Sequence, residues 1–172
     1  MNENKLKGIE KLSIGQLAAL RREAGKRLSE ADASALQAFY TAMPYGTPDY
    51  SQERMYAVMC IMCLWKPEER KTPMPFAKCL GNIRQTDSAD GRLCALLDTD
   101  YQDDDGFLIG KLARLAKQIH ASEKRLYPDF EMLYDDLLYW NSSYRGVQRK
   151  WMAQYVVENS DDNLKEENGG NN

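Results

Sequence analysis

The chain has 172 residues, 43% apolar and 28% charged, with a net charge of −3. That balance describes a globular protein with enough chain for a real core rather than a disordered polymer, and no apolar run of about 18 residues exists to span a bilayer. The polar N-terminus carries no hydrophobic signal segment, so the expected compartment is the cytoplasm and the four cysteines are expected to be free thiols.

The charge is unevenly spread. From Glu158 onward five acids (Glu158, Asp161, Asp162, Glu166, Glu167) face only Lys165, and taking that −4 from the total of −3 leaves the first 157 residues at +1. The same tail ends in Asn-Gly-Gly-Asn-Asn and has little to bury, which predicts disorder over 158–172. A near-neutral body argues against strong autonomous DNA binding, so phosphate contacts are expected as local patches or shared with partner subunits.

Along the chain, residues 1–12 read as a loosely ordered lead-in. Ser13 suits the N-cap of a helix running to about Leu28, with Ile14, Leu17, Ala18 and Ala24 inward. Asp32 suits the cap of a second helix carrying Leu36, Phe39 and Tyr40, which Pro44-Tyr45-Gly46-Thr47-Pro48 breaks. The next helix, near Ser51 to Leu64, is apolar over much of its circumference and is expected to be the central one. Residues 66–75, with three prolines and five charges, read as an exposed flexible loop. Short helices follow near Phe76–Arg84 and Ala89–Leu97. After the acidic stretch Asp98, Asp100, Asp103, Asp104 and Asp105, Leu108, Leu112, Leu115 and Ile119 repeat at helical spacing while Lys111, Arg114 and Lys117 fall off that stripe. Two more helices are expected near Asp129–Trp140 and Arg145–Val157. With no strand alternation, the expected fold is all-α: about eight helices in two small bundles packed together, 1–97 and 98–157.

The candidate sites separate by chemistry. Cys60-x-x-Cys63, with Cys79 and Cys94, has the composition of a zinc site, but the pair lies inside an apolar helix and reads as core. His120 is the one histidine and has no nucleophile and acid arranged in sequence to work with. The 98–105 acids do not follow a calcium-loop pattern and read as a solvated loop. Phosphate-loop and dinucleotide glycine motifs are absent, so no catalytic residue, metal or cofactor is expected.

The basic residues are the stronger candidates: Arg21, Arg22, Lys26 and Arg27; Lys78, Arg84 and Arg92; Lys111, Arg114, Lys117, Lys124 and Arg125; and Arg145, Arg149 and Lys150. Each alone suits a solvated helix face. Side by side, several such helices can align into a groove that tracks a phosphate backbone, with aromatic rings to stack bases. Trp140 and Trp151 sit in apolar-patterned helices and read as core instead.

The order and spacing of several phrases resemble one family. They are Leu17-Ala18-x-Leu20-Arg21-Arg22, Ala38-Phe39-Tyr40, Arg92-Leu93-x-x-Leu96-Leu97, Asp129-Phe130 with Leu137-Leu138-x-Trp140, and Arg149-Lys150-Trp151. From about Ile14 to Val157 the chain resembles CasB, the small subunit of the type I-E CRISPR complex Cascade. The resemblance implies a noncatalytic, all-helical protein that works in antiviral defence. Its implied partners are a second copy of itself, the backbone and large subunits, the crRNA ribonucleoprotein, and target DNA including the displaced strand of the R-loop. It carries nucleic-acid binding onto Arg22, Arg92, Arg114 and Arg145 first, then onto Arg21, Lys78 and Arg84. The chain departs from the pattern at Asp98 and the acids after it, where some relatives carry arginine, so that loop is expected to face a partner protein. The alternative is a helical protein–protein interaction module that never touches nucleic acid.

Overall fold

Capping chemistry sets where the first helices start. The Ser13 hydroxyl accepts the Gln16 N–H (3.2 Å) and the Gln16 side chain accepts the Ser13 N–H (3.0 Å), a reciprocal box that opens α1 (Ile14–Arg22). Asp32 caps α2 (Ala33–Ala42) through the Ala35 N–H, and Asp129 caps α7 (Phe130–Leu138) through the Met132 N–H. Between them run α3 (Asp49–Met62), α4 (Phe76–Asn82), α5 (Asp87–Leu97) and α6 (Phe107–Ala121); α8 (Gly146–Asn168) is last. The computed structural model describes residues 4–84, 87–102 and 107–168, giving for residue 87 and for 158–168 the backbone alone. Among these residues no strand forms, and the fold is all-α with eight α-helices.

The central helix is α3, as its composition implies. Every residue from Met55 to Ile61 is buried, and the helix is flanked by α1, α6 and α7. α4 lies along α8, where Phe76 stacks on Trp151 at 5.2 Å. Trp140 and Trp151 meet edge to face at 5.4 Å, both 1% exposed, so both indoles are core. Their N–H groups are satisfied by the Thr99 carbonyl (2.8 Å) and the buried Asp136 carboxylate (2.7 Å). Core residues from 1–97 and from 98–157 belong to one contiguous apolar cluster.

Four expectations need correction. Residues 7–11 form a 3-10 turn, not a loose lead-in: Leu6, Ile9 and Leu12 recur every third position, the 3-10 period, and all three are buried. The Glu131 carboxylate fixes that turn by accepting the Leu6 N–H (2.7 Å) and Lys5 N–H (3.2 Å). Second, α1 ends at Arg22 because Gly25, at φ +96°, turns the chain, and Ile14 sits outside the core at 89% exposure. Third, the 66–75 segment is anchored. It contains the 3-10 turn Pro67–Glu69, and Met74 exchanges backbone hydrogen bonds with Tyr127 (3.0 Å) and Asp129 (2.8 Å). Last, α8 runs past Val157 to Asn168, since neither glycine nor proline interrupts 147–168. The expectations for Asp103–Asp105 and for 169–172 lie outside the described residues.

Candidate nucleic-acid interface

Arg21 and Arg22 close α1, where a cation complements the negative end of the helix dipole. Both are exposed, and neither side chain makes a hydrogen bond or ion pair with a described residue. Arg21 still acts inward: burial pushes the Cys63 thiol up to about 11, against the pull of the Arg70 and Arg21 charges. Beyond them the chain turns at Gly25 onto α6. A Cβ built on Gly25 would lie 3.2 Å from the Ala113 Cβ and 3.9 Å from the Gly110 Cα. Arg114 and Lys117 follow Gly110 along the outward side of α6, opposite the buried row Leu108, Leu112, Leu115 and Ile119. The Gly25 contact thus places the turn after α1 against α6. Arg114, like Arg21 and Arg22, is exposed and has no partner among the described residues.

The second group surrounds α5, which packs on α6. Arg92 is exposed on α5, with no partner among the described residues. The other two arginines of this group, though exposed, are engaged by partners within the chain. Arg84 pairs with Asp90, whose other oxygen accepts the Tyr155 hydroxyl from α8. Those two hydrogen bonds, Tyr155 first, hold the Asp90 carboxyl below the ordinary aspartate range. Arg145, at φ +51°, donates to the Leu97 carbonyl (2.8 Å) and to Asp98 (3.0 Å), which satisfies the C-terminal end of α5. Lys78 is half-buried on α4. The sequence-predicted residues thus fall at the end of α1 (Arg21, Arg22), on the outward face of α6 (Arg114) and around α5 (Arg84, Arg92, Arg145), with Lys78 on α4.

Beside Asp98 a groove of about 420 Å³ runs between the end of α5 and the start of α8, lined by Leu97, Tyr144, Arg145, Arg149 and Met152. Tyr144 is 83% exposed, a ring open to stacking, and Arg149 is exposed beside it. Arg149 was among the basic candidates of the sequence, whereas Tyr144 did not stand out there, because a tyrosine in a Ser-Ser-Tyr-Arg turn has no periodicity to mark its orientation.

The remaining candidates are structural. Cys60, Cys63 and Cys79 are buried and Cys94 is exposed. Burial raises the Cys60 thiol well above its ordinary range, so it stays protonated. Among the described residues, no group of three or more His, Cys, Asp or Glu is arranged to hold a metal ion. His120 lies 3.2 Å from Glu69 and edge-on to Trp65 at 5.0 Å. No described helix is long and apolar enough to cross a membrane.

The family model for CRISPR-associated protein Cse2 matches residues 16–155. Among solved structures, a chain of a "CRISPR RNA-guided surveillance complex" superposes with a TM-score of 0.71 at 24% identity, over 92% of this chain and 93% of that one. CasB from Thermus thermophilus gives 0.68 at 25% identity, over 88% and 95%. M. ruber CasB gives 0.65 at 18% identity over 92% and 93%, a likeness of fold. No curated protein matches by sequence.

Proposed function

The chain belongs to the CRISPR-associated Cse2 family, and from that membership we propose that it is a noncatalytic small subunit of a type I-E CRISPR RNA-guided surveillance complex. Its work there is to hold nucleic acid on basic helix faces and so stabilise the R-loop, including the displaced DNA strand. The contacts fall to Arg21, Arg22, Arg92 and Arg114, with Lys78, Arg84 and Arg145 secondary. The backbone and large subunits, the crRNA and a second copy of the chain complete the site.

The observation that carries this reading is the set of exposed arginines, Arg21, Arg22, Arg92 and Arg114, whose side chains make no hydrogen bond or ion pair among the described residues. A guanidinium left uncommitted by the fold is available for charge-assisted, bidentate contact with phosphate. Strand exchange by a guide RNA is close to balanced, and protein contacts to the backbone tip it. A near-neutral body that contributes a few such contacts suits that task better than a strongly basic one.

The test is reconstitution of the complex with wild-type chain or with Arg22→Glu/Arg114→Glu. The variant is expected to assemble and to shorten the R-loop lifetime about tenfold, as the loss of two phosphate contacts implies. An unchanged lifetime in a fully assembled complex refutes the reading and leaves the chain as a protein-interaction module.

A further inference from the structure

A cleft of about 650 Å³ opens between the Lys66–Thr72 segment and the turn that follows α6. Its volume lies in the range of about 300–1,000 Å³ in which folds enclose small ligands. Trp65, Met74, Leu126 and Tyr127 give it an apolar floor. The floor is preformed: Trp65 Nε1 donates to the Leu126 carbonyl (2.9 Å), and Met74 is tied to Tyr127 and Asp129 by backbone hydrogen bonds.

The rim carries Lys66, Lys71 and Arg125, all exposed, and the side chains of all three make no hydrogen bond or ion pair among the described residues, although the Lys66 charge acts on Glu69. Of the two rim acids, Glu69 is already engaged, accepting the Lys66 N–H (2.6 Å) and facing His120. Two rim residues, Thr72 (φ 55°) and Arg125 (φ 52°), hold left-handed backbone that their side chains disfavour. Such strain is typically kept where it presents a side chain for use.

The cleft adjoins the arginine face through α6. The outward row of α6 that begins with Arg114 and Lys117 runs to the helix end that supplies His120.

We propose that this cleft is a nucleotide subsite. One phosphate of a single strand sits among Lys66, Lys71 and Arg125, its base lies against Met74 and Leu126, and neighbouring phosphates follow Lys117 and Arg114 along α6. The proposal rests on the nucleic-acid reading above. Continuity with the arginine face favours a nucleotide over an acidic peptide, which would need the cations but not the adjoining track.

The three indoles supply the test. Trp65 donates at the cleft, whereas Trp140 and Trp151 donate in the core. Titrating a short oligothymidylate into the ¹⁵N-labelled chain is expected to move the Trp65 indole signal, assigned with Trp65→Phe, and to leave the other two in place. Lys66→Glu/Lys71→Glu, checked for an unchanged melting curve, is expected to abolish that shift. It should also weaken binding, read by anisotropy, about tenfold, the scale set by losing one or two phosphate contacts. If Arg22→Glu/Arg114→Glu weakens binding while Trp65 stays still and the cleft variant binds normally, the subsite is refuted and the wider reading survives. If neither variant weakens binding, both fall. If a polyglutamate peptide moves Trp65 and the oligonucleotide does not, the cleft belongs to a protein partner and the proposal is overturned.

Discussion

Asp98 offers a gain-of-function test of the interface. It stands at the C-terminal end of α5, accepting from Arg145 at 3.0 Å, with side chains 73% and 54% exposed. An exposed pair of this kind contributes about 0–1 kcal/mol to stability. An acid at a helix C-terminus opposes the dipole by about 0.3–1 kcal/mol, so Asp98→Asn should leave stability nearly unchanged. Arg145 keeps its hydrogen bond to the Leu97 carbonyl. Affinity should move instead. A unit charge about 5 Å from a phosphate in water interacts by about 0.8 kcal/mol, which screening at 0.1 M salt reduces to about 0.5 kcal/mol. Removing the Asp98 charge therefore tightens binding of single-stranded DNA about twofold, and Asp98→Arg, a change of two charges, about fivefold. Anisotropy titrations across a salt series measure this, with R-loop lifetime in the reconstituted complex as the functional readout. The reasoning is refuted if Asp98→Arg folds normally and binds no tighter than wild type.

Gly8→Ala should destabilise the protein by about 2–4 kcal/mol. An added Cβ would lie 1.8 Å from the Ala42 carbonyl oxygen, so the 3-10 turn must lift and part of the burial of Ile9 and Leu12 is lost. Gly91→Ala, with nothing within 4 Å inside α5, is the control and should stabilise by about 0.5–1 kcal/mol in the same urea melts. Equal midpoints for the two variants would sink the steric argument. Asp90 predicts a pH dependence: its carboxyl titrates below the ordinary range because Tyr155 and Arg84 hydrogen-bond it. It therefore adds stability above the ordinary aspartate range that is lost as pH falls through its folded value. Tyr155→Phe removes the larger of these influences, so the wild-type and variant stabilities should converge in acid; a gap constant with pH contradicts it.

Much of the helical framework was legible because local chemistry decides it. The α6 stripe, the Ser13 and Asp32 caps and the apolar circumference of α3 each depend on residues within a few positions of one another. The misread segments depend on distant ones. Leu6, Ile9 and Leu12 make too short a set to reveal a period, and their turn is fixed by Glu131, 125 positions from Leu6. The proline-rich 66–75 segment looked free because its anchor, the Met74 bridge to Pro128, lies 54 residues away. The arginine set shows the same limit. Its members look alike in sequence, and only the fold reveals that Arg84 and Arg145 have acidic partners on α5 or at its end.

That division bears on mechanism. Arg84 and Arg145 tie α5 to its neighbours and use part of their charge in doing so, whereas Arg21, Arg22, Arg92 and Arg114 extend from helices already fixed by other means. The helices beneath the open arginines are fixed by the Ser13 cap, the Gly25 contact and the buried leucines of α5 and α6, none of which involves the guanidinium groups. A phosphate that meets Arg22 or Arg114 therefore displaces no intramolecular partner, while one that meets Arg145 competes with Asp98. In an exchange of strands close to thermoneutral, uncompeted contacts of about 1 kcal/mol each are sufficient to bias the outcome, and partner subunits can supply the rest of the field. On the proposed function, the balance of acids and arginines around α5 would then set how tightly a strand is held, and a substitution at Asp98 would change it without touching the core.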